Sequence, residues 1–512
     1  MPNSAAHRAP DILRWPLLGR FLKWQHARTA MQAPVLLFTM LIVFDGLLGP
    51  QLAPKNLATV GVWLHYRGLV VLALLVAGNL FCMACPFMLP RQAARWLRER
   101  FWSGGRSVPA MLRNKWLVLA LVLAFFFIYE RFSLWASPWL TAWIVLAYFA
   151  VAFAVDTIFR GTAFCKYVCP LGQFNFFGSL ISPLEIKVRE PATCAACRTK
   201  DCIKGNLTPL PPSPDDNTTV VGRGGVRYGC ELWLFQPRKV GNMDCTFCLD
   251  CIHACPYDSV GIIGRVPTSE LWRDPFRSGI GRFSQRLDLA ALVALFVFGS
   301  FINAFAMIRP VYALREQIGR WLGRASPTLE LAVIFLIGLI VLPALALIVT
   351  GLATRALARR PGEPLRSEPI GGVISRYVYA LVPLGFGMWL AHYSFHFLTG
   401  GLTLVPVVQS FLADIGLFGG AVQWGLGPVV PGDWLFPIEA IFLYAGAFAS
   451  IVAALQIAQH HLGIAQNGDP AVAIEAAAPW IALTLLLLVA GLAILVQPME
   501  MRGTLLMSGA LQ

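Results

Sequence analysis

Residues 245–256 read Cys245-Thr-Phe-Cys248-Leu-Asp-Cys251-Ile-His-Ala-Cys255-Pro256, a C-x2-C-x2-C-x3-C-P run. This spacing gives one [4Fe–4S] cube three thiolates from a single tight loop and sends the fourth Cys to a second cube. A second run is therefore expected, and Cys194-x2-Cys197-x4-Cys202 lies upstream. That run lacks its own fourth thiolate, because the residue four places after Cys202 is Asn206, a poor ligand for iron. Cys230 is the one unassigned Cys between the runs. The expected sets are Cys194, Cys197, Cys202 and Cys255 for one cluster, and Cys245, Cys248, Cys251 and Cys230 for the other. A zinc knuckle is built on shorter CxxC pairs, which four Cys at this spacing followed by Pro exceed. His253, inside the second run, reads as a spacer that tunes by hydrogen bonding.

Four more cysteines stand apart. Cys82-x2-Cys85-Pro86 ends one apolar run and Cys165-x3-Cys169-Pro170 follows another. On a helix, three- and four-residue spacings place two thiols on one face, and the prolines mark where a helix stops or restarts. Two such pairs at matching depth provide four ligands for a third metal-based redox centre, or two redox-active dithiols.

The elements that hold these residues are membrane helices. Of 512 residues, 57% are apolar and 13% charged, about half the charge of a soluble chain. Nine apolar runs approach the length needed to cross a ~30 Å hydrocarbon core: 33–49, 68–89, 116–136, 138–158, 287–308, 329–352, 377–398, 434–459 and 478–497. Glu130 and Arg131 interrupt the third. Lys and Arg accumulate in the N-terminal tail, in 91–115 and in 355–376, and are absent from 399–433. By the positive-inside rule the N-terminus is cytoplasmic and the C-terminus periplasmic. Arg309, Arg315, Arg320 and Arg324 break the alternation, and their spacing suggests a basic helix on the outer surface. The net charge of +14 is then mostly a topology signal, and no basic–aromatic stripe argues for nucleic acid. The cluster segment falls on the reducing side, where cysteines serve as ligands rather than disulfides.

The expected fold is a mainly α-helical polytopic membrane protein with an inserted α+β two-cluster ferredoxin-like domain. It divides into a basic tail (1–31), a four-span region carrying the Cys-Pro pairs (32–184), the two-cluster domain (185–275) and a five-span region (276–512). Within the two-cluster domain, 207–229 reads as an irregular surface insert rich in Pro and Gly.

Cys165-Lys-Tyr-Val-Cys169-Pro-Leu-Gly, a second Cys-Pro pair upstream and the cysteine run downstream together resemble the membrane-bound polyferredoxins of the NapH, NosR and CcoG type, over about residues 65–270. The first pair here is CxxCP where that family usually has CxxxCP, and the region from 276 onward has no counterpart in it. The resemblance implies a bacterial inner-membrane location and two cytoplasmic-side [4Fe–4S] clusters. It also implies a role in quinol oxidation, electron delivery to a redox partner protein, or metal reduction.

The C-terminal half adds His392 and His396, four apart near the outer end of one run, with Glu439 near the outer end of the next. Ionisable groups at such depth are costly and tend to mark function. They suit a quinol pocket whose protons they take, or axial ligation of haem b with His65 as a further outer candidate. The functional expectation is a membrane iron–sulfur carrier relaying electrons between the quinone pool and a redox partner. The alternative is a reductase that supplies electrons for maturation or metal loading of a respiratory metalloenzyme.

Overall fold

The computed structural model describes residues 9–101, 105–206, 226–323, 326–357, 364–462 and 470–500. Most of the expected insert at 207–229, and Arg324 of the basic stretch, lie outside the described residues. Among the described residues, nine apolar helices make up the bundle: α1 (Ala27–Leu48), α2 (Leu57–Ala77), α3 (Trp116–Arg131), α4 (Pro138–Ile158), α5 (Leu287–Phe305), α6 (Pro327–Leu357), α7 (Val382–Gly400), α8 (Leu435–His461) and α9 (Pro470–Leu495). Eight are long and apolar enough to cross a membrane by themselves or, for α7, within the longer helical stretch Ile370–Asp414. The chain is a mainly helical polytopic membrane protein.

The exception is α3, with 16 residues against the nine full spans expected. It stops where the charged pair Glu130–Arg131 meets Ser133, whose backbone is left-handed (φ +47°). Its two ends nevertheless contact different parts of the molecule. Lys115, at its start, bonds the carbonyl of Lys166 and the Asp244 carboxylate at 2.7 Å each, whereas Arg131, at its end, donates to Thr328 at the start of α6.

Helix ends follow local chemistry. Ser137 caps α4 by accepting from the Leu140 N–H at 3.2 Å, with Pro138 in the first position, where its missing N–H costs nothing. The run expected at 68–89 begins earlier and ends earlier, as α2. It is stopped by Gly78 at φ +62°, where a Cβ would stand 2.6 Å from the Phe247 ring. Arg67, counted from the sequence as a loop residue, therefore sits inside α2 and is buried. The cysteines of the first pair are off the helix.

The centre of the bundle is α7, buried along nearly its whole length. It packs on α8 through small residues: a Cβ on Gly446 would lie 2.7 Å from the Pro383 carbonyl oxygen, and one on Gly387 2.7 Å from that of Phe442. Close approach of this kind is the usual means of helix association where lipid offers no hydrophobic drive. The stretch after α5 forms an amphipathic helix, Arg309–Trp321, with Trp321 exposed, as the arginine spacing indicated.

Between α4 and α5 lies a polar segment with a two-stranded antiparallel sheet. Its strands β1 (Leu184–Val188) and β2 (Val260–Gly264) pair Ile186 with Ile262. The N-terminal segment, expected as a separate tail, belongs to it. Leu13 and Leu22 are buried in the same core as Ile186, Phe247 and Ile262. Asp11 bridges to Ile263 and binds Arg189 at 2.6 Å, and Lys23 pairs with Asp258 at 2.9 Å. Apolar side chains at 13 and 22 had a partner that a hydropathy plot could not reveal.

Candidate redox centres and a membrane cavity

The backbone around the second cysteine run is wound tightly. Asp244, Phe247 and Leu249 have φ of +58°, +55° and +67°, a left-handed region that costs non-glycine residues roughly 1 kcal/mol each. Those turns leave Cys245, Cys248, Cys251 and Cys255 buried on one loop. The chain bends there around its own sulfurs.

All twelve thiols are unbridged, and their electrostatic neighbours place them in three groups of four. In the first, burial pushes the Cys202 thiol up to about 11, and Cys255, Cys194 and Cys197 push it the same way. In the second, burial raises Cys251 well above its ordinary value, with Cys230 and Cys245 adding, while Cys248 is raised by burial, Asp250, Cys230 and Cys251. In the third, burial raises Cys165, and Cys169, Cys85 and Cys82 add to it. Cys82, pushed by burial up to about 12, is also touched by the field of Cys245, so the second and third groups are adjacent. Asn206 pairs backbone to backbone with Arg227, and Cys230 stands with the second group.

The donor sets fit iron–sulfur clusters. Each thiol must give up its proton to bind a metal, and burial opposes that loss until the metal's charge compensates it. Four thiolates around one zinc would lie ~3.8 Å apart, given Zn–S bonds near 2.3 Å. Among the described residues, the one trio of His, Cys, Asp or Glu ligand atoms within 4.8 Å of one another is Glu231, Cys248 and Asp250. Among the described residues, no three cysteine sulfurs lie that close together. Backbone N–H groups already point at sulfur, from Gly172 to Cys169 (3.2 Å), Leu234 to Cys230 (3.4 Å) and Ser259 to Cys255 (3.3 Å). Such bonds set cluster potentials. Glu231 is occupied otherwise: it binds Arg28 at 2.7 Å, Arg91 and the Thr162 hydroxyl at 3.0 Å.

The Cys-Pro pairs are not on helix faces as the spacing suggested. Cys82 lies in the short helix Leu80–Met83, and Cys85 is extended ahead of Pro86. Cys165 lies in the wide turn Phe164–Val168, and Cys169 caps the helix Pro170–Gly178. The prolines do start the following turns. Asn79, one turn before Cys82, donates to the Cys245 carbonyl at 2.5 Å, and His253 reaches the Leu22 carbonyl at 2.9 Å.

An apolar cavity of about 260 Å³ opens beside the third group. Cys85, Pro170, Gln173 and Asn175 form part of its wall, and Tyr66, Arg67, Tyr148 and Tyr393 face it from α2, α4 and α7. Gln173 is buried with its Oε1 lacking a hydrogen-bond partner. Asn175 donates to Cys82 Sγ at 3.3 Å and bonds Tyr66. The Arg67 guanidinium bonds the Tyr129 hydroxyl at 3.0 Å and lies 4.7 Å from the Trp63 ring and 5.4 Å from that of Tyr393. A π-helical turn at Val60–Tyr66, a distortion frequent at functional sites, sets up this face.

His392, His396 and Glu439 do not line that cavity. The two histidine rings stack edge to face at 4.9 Å within the buried part of α7. Glu439 is buried on α8. His65, the further haem candidate, has each ring nitrogen against a carbonyl oxygen, of Val60 at 3.0 Å and Gly401 at 2.9 Å. Sequence reasoning missed the buried set Tyr66, Arg67, Gln173 and Asn175. An Arg inside an apolar stretch was the available signal, lost by starting the span at 68, eleven residues after α2 begins. No family model, no curated protein and no solved structure matches this chain.

Proposed function

We propose that the protein is a membrane-bound iron–sulfur electron carrier that exchanges electrons between a lipid-soluble quinone and a redox partner protein, through centres held by three cysteine groups. Residues 185–275, closed by the N-terminal segment, form a ferredoxin-like two-cluster domain in this reading. The resemblance to the membrane polyferredoxins supports it over about residues 65–270. The observation that carries it is the apolar cavity whose wall includes Cys85.

An iron–sulfur cluster, when bound, takes up or gives up one electron at a time, whereas a quinol yields two electrons and two protons. The chain's residues divide the remaining work. Aromatic and aliphatic walls from α1 to α5 and α7 hold the ring and tail out of water. Gln173 Oε1 would accept from a quinol hydroxyl, and the Tyr66 hydroxyl would donate to the other ring oxygen, orienting the head group near Cys85. Tyr66 and Asn175 form the hydrogen-bonded exit for a proton next to Cys82. Asn79 and Phe247 hold the second group against the membrane end of α2.

Anaerobically purified protein is expected to contain about twelve iron per chain, or about eight if the third group binds none. A short-chain quinol should then reduce the clusters, read by bleaching and low-temperature EPR. Stoichiometric zinc, or iron near two per chain, would end this reading.

The location that follows is the bacterial inner membrane, with α3 as a ninth crossing, the cluster segment cytoplasmic and the C-terminus periplasmic. A reporter fused after Pro275 is expected to behave as cytoplasmic, and one within 399–433 as periplasmic. Both on one side would mean that one of the runs α5 to α7 is miscounted as a span, whereas the two sides exchanged would remove α3 from the count.

A further inference from the structure

A second cavity, of about 370 Å³, lies where the polar segment after β2 meets the ends of the helical stretch at Arg376 and of α8. Arg273, Arg282, Arg376, Tyr379, His460 and His461 line it, with Asp274 as its carboxylate. Three buried polar atoms there have no hydrogen-bond partner: Tyr379 Oη, Arg376 Nε and His461 Nδ1. Tyr379 is 1% exposed, so water does not compensate its hydroxyl, and a buried orphan of this kind costs about 1–3 kcal/mol.

The carboxylates nearby are already committed. Asp274 accepts from the Phe283 N–H at 2.8 Å and the Ser284 hydroxyl at 2.5 Å, and pairs with Arg277 at 3.5 Å. Glu368 holds Arg376 at 2.9 Å and His461 at 3.4 Å. Arg282 Nη1 donates to the Asp274 carbonyl at 2.8 Å; with Arg273, Arg376 and Tyr379 on the same wall, the cavity carries an excess of positive charge and donors that suits an anionic acceptor. Arg273 and Arg282 stand exposed at its rim. Two of its three walls are ends of apolar helices, which sets it at headgroup depth, where basic pockets between helices take anionic lipid phosphates.

We propose that this pocket binds a phosphate group, presented by an anionic phospholipid or supplied as free phosphate, independently of the redox chemistry. The test compares the full-length protein in nanodiscs of phosphatidylglycerol and of phosphatidylcholine, the latter with and without millimolar inorganic phosphate. The thermal midpoint is expected to be about 3 °C or more higher in phosphatidylglycerol. The gain should vanish in Tyr379→Phe and in the double variant Arg273→Gln/Arg282→Gln. Tyr379→Phe keeps the 4.6 Å stacking on Phe283, so its midpoint in phosphatidylcholine and its iron content should stay those of the wild type. A gain with phosphate in phosphatidylcholine that the same variants abolish assigns the site to the free anion. Equal midpoints in all wild-type conditions, or a lipid gain that survives both variants, overturns the proposal.

Discussion

Cys169→Ser is expected to slow quinol-driven reduction of the clusters by about 100-fold, the upper range for disturbing a metal site, while dithionite still reduces them. Iron should fall from about twelve to about eight per chain. The reason is that Cys169 has two roles which serine separates. Its sulfur caps the helix Pro170–Gly178 by accepting from Gly172 N–H, and a serine hydroxyl caps as well. Serine is a much poorer ligand to iron, however, and the third cysteine group loses a thiolate. The fold and the eight thiols of the other two groups remain. If the Cys-Pro thiols only pack, the variant should show wild-type quinol kinetics and a stability loss near 1 kcal/mol, typical of a point substitution. Stopped-flow bleaching with a quinol analogue, alongside iron analysis, distinguishes the two.

Glu231→Ala is expected to destabilise the protein by about 3–5 kcal/mol, the usual consequence of stranding a buried charge. Here two guanidinium groups lose a shared partner, with Asp250 still in their field. The Arg28 and Arg91 side chains are 15% and 10% exposed and meet on one carboxylate oxygen, and the Glu231 side chain is 4% exposed. Arg28 comes from α1, Arg91 from the helix Arg91–Phe101, and Thr162, which holds the other oxygen, from the turn before Cys165. One carboxylate therefore ties three elements together beside Cys230. Glu231→Gln retains an acceptor and should lose clearly less. Unfolding midpoints in detergent measure this, and a change within about 0.5 kcal/mol for the alanine variant would place it among neutral surface substitutions.

What could be read from the sequence was chemistry that depends on short spacing. The spacing within each cysteine run and the prolines after each Cys pair lie within a few residues of what they act on, and the apolar helices announce themselves by composition. What escaped depends on distance along the chain. The start of α2 could not be placed from hydropathy alone, because Arg67 sits among Trp63, Tyr129 and Tyr393, and its charge is balanced by rings from three separate helices. The cavity wall likewise draws on α1 to α5 and α7. His392, His396 and Glu439 drew notice as ionisable groups in apolar surroundings, whereas Gln173 and Asn175, uncharged, did not.

The N-terminal segment has a consequence for synthesis. Leu22 waits for His253, 231 residues later, and at about 5–20 residues per second the ribosome needs roughly ten to fifty seconds to supply it. The segment ending at Leu22 is thus already present when the loop around His253 emerges. Leu13 and Leu22 enter the core that holds Cys230, Cys245, Cys251 and Cys255, so a bulky group fused close to Asp11 would hold that core open.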